Sequence, residues 1–225
     1  MPRKLSKTNN TLNTSSSSHP STPIPPSDMS PATTTKTPTW LTDGAPLPRL
    51  IVLDLDYTLW PFYSDIHIST PVRASPSTNH TTITDRLGES FSLFPDVPDI
   101  LHFLSSSPSQ IKLGVASKSP VGDLCREVLK LLRLPATETK GRKVIDVFDA
   151  GLEIYEGTKL RHFEVLRRRT GIPFHEMLFF DDERPNREVE KLGVTMRLVE
   201  DGFSWEELER GVEQWRRNRG RTSTA

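Results

Sequence analysis

Four strand-forming residues, Leu50-Ile51-Val52-Leu53, run directly into Asp54-Leu55-Asp56. An apolar run of this length, bounded by turn signals, suits a strand buried on both faces of a parallel sheet. Side chains alternate along a strand, so Asp54 and Asp56 should leave its carboxyl end on the same side. Unpaired buried carboxylates are costly, and a divalent cation at that end would give both a reason to be there.

The same pattern recurs down the chain. Ile111 to Ala116 predicts a second buried strand, ending at Ser117-Lys118-Ser119. Ser119 is a suitable N-cap and Pro120 a suitable first residue for the helix that follows. Val144 to Tyr155 predicts a further strand, or two short pieces, before a helix opened by Lys159 and stopped near Gly171. Met177-Leu178-Phe179-Phe180 predicts another buried strand, ending in Asp181-Asp182-Glu183. Val194 to Val199 predicts the last strand, and Ser204 with Glu207 forms a capping box for a final helix. Thr81 to Phe94 reads as a small hairpin turning at Asp85-Arg86-Leu87-Gly88. Strands alternating with helices imply a three-layer, Rossmann-like α/β fold: a parallel sheet with helices on both faces, a β-hairpin flap and no large cap domain. Such sheets bind ligands beyond the carboxyl ends of their strands, and the polar residues gather there.

Composition sets the boundaries. Residues 1–47 are crowded with Ser, Thr, Pro and Asn and predict a disordered tail, because they offer too little apolar surface to offset ordering. The folded domain is expected over 48–217, with a polar tail at 218–225. Arg3, Lys4 and Lys7 resemble the basic start of a mitochondrial transit peptide, but the apolar face is missing. Lysine plus arginine and aspartate plus glutamate both number 29, which argues against a protein that coats nucleic acid or an anionic membrane. Cys125 is a lone cysteine, so a reducing compartment fits; the expected location is the cytoplasm, with the nucleus second. No stretch reaches the roughly 20 apolar residues of a membrane span.

Carboxylates from two strand ends are hard oxygen ligands, and with no paired cysteine and no histidine pair at ligand spacing they suit magnesium rather than zinc. Magnesium held by few protein ligands usually shares its sphere with water and substrate phosphate. A serine hydroxyl and two lysines would complete a phosphate site, so the residues read as phosphoryl chemistry. One aspartate would attack phosphorus, and the other would move the proton.

Asp54-Leu55-Asp56-Tyr57-Thr58-Leu59 resembles the first motif of the haloacid dehalogenase superfamily, and Ser117, Lys159 and Asp181-Asp182 match its later motifs in order. Trp60-Pro61-Phe62, Tyr155 to Phe163 and Thr170 to Glu183 extend the resemblance to the eukaryotic magnesium-dependent phosphatases, of the capless type, over roughly residues 48–210. The resemblance implies the following roles. Asp54 is nucleophile and metal ligand. Asp56 is general acid/base and binds metal through its backbone carbonyl. Ser117 and Lys118 hold phosphate, and Lys159 stabilises the charge of nucleophile and phosphate. Asp182 is the first choice for the remaining metal ligand and Asp181 the second. The implied cofactor is Mg2+. The implied substrates are phosphorylated small molecules or phosphoproteins, including phosphotyrosine and sugar phosphates such as phosphorylated fructosamines. Lys118 stands where an arginine is usual, and the polar loop around Gly141 looks like an addition to the core. Two other functions fit the same fold: a non-catalytic phosphopeptide-binding module, and a phosphotransferase, which normally needs a cap to exclude water. Trp60, Phe62 and Tyr63 read as packing under the flap rather than a substrate mouth, and no histidine is assigned a role.

Overall fold

The computed structural model describes residues 38–106, 111–135 and 141–222, with side chains through 219. In chain order its elements are α1 (Thr39–Thr42), β1 (Leu50–Leu53), α2 (Ser64–His67), β2 (Arg73–Ala74), β3 (Thr82–Thr84), β4 (Ser90–Ser92), α3 (Val97–Ser106), β5 (Lys112–Ser117), α4 (Gly122–Leu131), β6 (Gly151–Ile154), α5 (Lys159–Thr170), β7 (Met177–Asp181), β8 (Thr195–Leu198) and α6 (Trp205–Thr222). The main sheet has the order β6-β5-β1-β7-β8, and each pairing in it is parallel. β1 lies at its centre, which explains an apolar run with no alternation: Leu50, Ile51, Val52 and Leu53 are each 0% exposed.

Period-two alternation splits the core into two layers. Ile51, Leu53, Leu178 and Phe180 face one side, where Ile100 of α3, Val128 of α4 and Val212 of α6 meet them. Leu50, Val52, Phe179 and Met196 face the other, against Phe163 and Leu166 of α5. Each such buried side chain contributes about 1.5–3 kcal/mol of transfer free energy. The chain runs from β1 to β5 and β6 on one side, then returns to β7 and β8 on the other. That reversal at β1 creates the crevice in which a sheet of this kind binds ligands.

Several sequence expectations shift. The flap is a three-stranded antiparallel sheet, β2-β3-β4, rather than a hairpin alone. Its Ile83 is buried, and its Phe91 meets Phe62 edge-on at 4.9 Å. Val144–Val147 is a 3-10 turn and only Gly151–Ile154 a strand, because Val144 and Val147 face the core through the turn. Ser119 lies before the start of α4, whose N-cap is Val121 without a side-chain bond, and its hydroxyl accepts from Val121 N–H at 3.4 Å. The expected capping box is half made: Ser204 Oγ accepts from Glu207 N–H at 3.2 Å, but the Glu207 carboxylate takes Arg197 at 2.6 Å instead.

The domain is longer than composition indicates. Trp40, expected in the disordered tail, is buried, and Arg216 of α6 fastens residues 40–46 through Trp40 O, Asp43 and Pro46 O. Helix α6 continues to Thr222, past the expected tail boundary at 218. The rest of the expected tail, 1–37, and the centre of the polar loop, 136–140, lie outside the described residues. Among the described residues, no helix is long and apolar enough to cross a membrane.

Candidate active site

Strand parity assembles the site. Asp54 continues the Leu50–Val52 face of β1, and Asp181 ends the Met177–Phe179 face of β7. Both point toward α5, whose first residue is Lys159. Thr158 caps that helix, its hydroxyl accepting from Arg161 N–H at 3.4 Å. The Lys159 ammonium donates to Asp54 Oδ1 at 2.6 Å and to Ala116 O at 2.6 Å, and pairs with Asp181 Oδ2 at 2.8 Å. Its ring neighbour, Phe179, lies 5.1 Å below it. Lys159 is 1% exposed, and among the described residues this cation is held by carboxylates, a carbonyl and an aromatic face.

The carboxylates outnumber that one cation. Asp54, Asp181 and Asp182 each offer an oxygen within 4.8 Å of the others. Burial lifts the Asp54 carboxyl to about 7; Lys159 opposes the lift, and the charges of Asp181 and Asp182 add to it. Burial, and then the charge of Asp181, lift Asp182 to about 6. The two carboxylates raise the Lys159 pKa above its usual value despite its burial. Three crowded hard-oxygen donors with too little positive charge fit a small divalent cation.

The doubled aspartate divides its labour by geometry. Asp181 is 0% exposed, and its oxygens accept from Asn186 Nδ2 at 2.9 Å and from Glu183 N–H at 2.7 Å, besides pairing with Lys159. Asp182 has the opposite parity and lines a cavity of about 180 Å³ together with Asp54, Asp56, Ser117, Lys118 and Lys159. Every residue predicted from the sequence except Asp181 therefore borders that cavity.

Asp56 leaves the strand at a turn completed by Tyr57, whose φ is +52°. Its Oδ1 accepts from Trp60 Nε1–H at 2.7 Å, and its Oδ2 from Ser64 N–H at 3.2 Å and Ser64 Oγ at 3.1 Å. Burial raises its pKa, and these donors work against the rise. Ser64 Oγ also meets Ser119 Oγ at 2.9 Å, and Ser119 N–H donates to Ser117 Oγ at 3.2 Å. A hydroxyl chain thus joins the Asp56 carboxylate to the Ser117 loop. Lys118 pairs with Glu183 at 3.1 Å across the cavity's rim. Trp60 and Phe62 are buried and stacked, as read, but Tyr63 is 40% exposed, lines the cavity and meets Tyr57 edge-on at 4.6 Å. Ser64, Ser119 and Asn186 were missed by sequence reasoning. They bond Asp56, Ser117 or Asp181 only because turns bring them back, and no periodicity signals that.

Comparisons with known proteins point the same way. The family described as Acid Phosphatase matches residues 46–218. The chain is 40% identical over 174 residues to human Magnesium-dependent phosphatase 1, spanning 75% of this chain and 88% of that one. It is 36% identical over 149 residues to a HAD-like hydrolase superfamily protein of Schizosaccharomyces pombe, spanning 66% of this chain and 83% of that one. Among solved structures, a phosphatase-domain fragment from Bacteroides fragilis, complexed with Mg, aligns at 21% identity and a TM-score of 0.47 over 75% of this chain and 41% of that one.

Proposed function

The chain belongs to the acid phosphatase family, among the magnesium-dependent phosphatases of the haloacid dehalogenase superfamily, and on that premise we propose that it hydrolyses phosphate monoesters through an aspartyl phosphate formed on Asp54. The observation that carries this reading is Lys159, buried between Asp54 and Asp181 at the floor of a cavity that Asp182 and Ser117 also line.

Asp54 Oδ1 is engaged by Lys159, and its other oxygen takes no hydrogen bond among the described residues, so it is free to attack. As the Asp54 oxygen–phosphorus bond forms, the phosphorus–leaving-oxygen bond breaks, and Asp56 gives that oxygen a proton. Asp56 then takes a proton from water, whose oxygen attacks phosphorus and releases Asp54. Ser117 and Lys118 hold the phosphoryl oxygens, and Lys159 offsets their charge. Asp54, Asp182 and the Asp56 backbone carbonyl would hold Mg2+, with Asp181 behind them. When bound, the ion supplies Lewis-acid stabilisation of the phosphoryl charge.

The substrates of this reading are phosphotyrosine and sugar phosphates such as phosphorylated fructosamines. The exposed Tyr63 face beside Tyr57 favours an aromatic leaving group, which it can stack upon. The test is a rate panel of para-nitrophenyl phosphate, a phosphotyrosine peptide and a phosphorylated fructosamine, with Mg2+ and with EDTA. Hydrolysis that EDTA abolishes is expected. Protein inert to the whole panel yet binding the phosphopeptide would make it a binding module instead.

A further inference from the structure

His162 takes no part in the chemistry above, yet it is fully buried between the two segments that hold phosphate. Its Nδ1 lies 2.8 Å from Thr158 O. Its Nε2 lies 3.0 Å from Ser117 O and 3.0 Å from Tyr155 O. All three partners are backbone carbonyls, which only accept. A neutral imidazole brings one N–H, so one of its nitrogens must turn a lone pair onto a carbonyl. Only the doubly protonated ring donates on both sides.

Those two sides matter. Ser117 ends β5 and borders the cavity, whereas Thr158 caps α5 immediately before Lys159. The ring therefore spans the gap between the phosphate-loop serine and the turn that aims the buried lysine. We propose that His162 is a positioning residue whose imidazolium form braces the Ser117 strand end against the Thr158–Lys159 turn, so that protonating a ring remote from the reacting atoms tightens the phosphate-binding groups.

The surroundings suit a switchable cation. The Tyr155 ring stacks on His162 at 4.2 Å and 8°, and the Arg161 guanidinium lies over Tyr155 at 5.1 Å. Lys159 is the nearby ammonium on the same helix, and Glu188 from the 184–192 turn accepts from Lys159 N–H. On the β6 side the Glu153 carboxylate pairs with Arg169 at 2.9 Å. Among the described residues, no carboxylate bonds the ring. Burial pushes its pKa down and the Thr158 carbonyl pulls it up; Lys159 pushes it down further against the Tyr155 and Ser117 carbonyls, leaving it below the usual histidine value. The second proton therefore goes on at more acidic pH than on a free imidazole.

The kinetic readout rests on the phosphatase reading, but the spectroscopic one does not. Long-range ¹H–¹⁵N correlation spectra of the full chain, taken from pH 5 to 8, report the protonation of both ring nitrogens. Alongside, inorganic phosphate binding in Mg2+ and para-nitrophenyl phosphate hydrolysis are measured for the wild type, His162→Phe and His162→Gln. The expected result is a ring that becomes doubly protonated toward the acid end of that range. The wild-type advantage over His162→Phe in phosphate affinity and kcat should then widen by about tenfold as the ring gains its second proton, the scale of a small displacement of catalytic groups. His162→Gln, with its own N–H groups, should recover part of the loss and show no such pH dependence. A ring that keeps one N–H throughout, or a wild-type advantage that does not change with pH, overturns the proposal. Absence of turnover by the wild type would overturn the phosphatase reading alone, leaving the spectra and phosphate binding to decide the brace.

Discussion

Lys159 is where removal of one atom group should be felt most. Its ammonium is the cation nearest to Asp54 and Asp181, and both of those carboxylates are buried. Lys159→Met should abolish turnover and destabilise the metal-free protein by about 3–5 kcal/mol, the scale for stripping one partner from a buried ion pair. The loss should be smaller at pH 5 than at pH 8, since acid neutralises the abandoned carboxylates; urea titrations at both values check this. Asp182→Asn should weaken Mg2+ binding by about ten- to a hundredfold, measured by calorimetry. At this scale the sequence was readable in kind but not in assignment. Asp181-Asp182 announces an acid site, yet only the knowledge that β7 ends at Asp181 shows which of the pair turns toward Lys159 and which toward the cavity. Ser64 and Asn186 carried no signal, because their partners lie across turns whose geometry composition does not encode.

Among the elements, β1 and β7 were legible because burial on both faces leaves an unbroken apolar run. The flap was only partly so. β2 is two residues long, too short for alternation to show, and it exists because β3 offers it an edge. Asp85 holds the flap's turn: its carboxylate accepts from Leu87 N–H at 2.8 Å, Glu89 N–H at 2.9 Å and Ser69 N–H at 3.0 Å. Burial alone would raise its pKa, but the amides of Ser69, Glu89, Leu87 and Gly88 outweigh that and hold it below the usual carboxylate value. A depressed folded pKa stabilises above the unfolded value, about 4, and the contribution is lost as pH falls through the folded one. Asp85→Asn should therefore loosen the flap at neutral pH, seen as faster amide exchange at Ile83 and Phe91. The wild type should match it only in strong acid. The helix after β5 starts later than its cap signal: the Ser119 hydroxyl accepts from Val121 N–H at 3.4 Å, but α4 begins only at Gly122, and the same hydroxyl meets Ser64 of α2.

Across the whole molecule, the site charges and the fold's stability are one problem. Asp54 near 7 and Asp182 near 6 lie above free carboxylates at about 4, so the metal-free fold binds more protons than the unfolded chain in that window. Its stability should fall as pH rises from about 4 to 7. Mg2+ binds the folded chain and should raise Tm, more at pH 8 than at pH 5.5, where protons compete; scanning calorimetry with Mg2+ and with EDTA tests the difference. The fold class was legible throughout because the alternation of buried strands and helices repeats over the whole domain. Its start was not, since Trp40 and the residues that Arg216 clamps sit in a stretch whose composition matches a tail. The most direct test of the central claim is rapid acid quench of the Mg2+-loaded enzyme turning over para-nitrophenyl phosphate, followed by mass mapping of the peptides. A phosphoryl group on Asp54 is expected, accumulating further in Asp56→Asn, which on the proposed mechanism would not activate the water. Turnover without phosphate on Asp54, or activity surviving in Asp54→Asn, would contradict it.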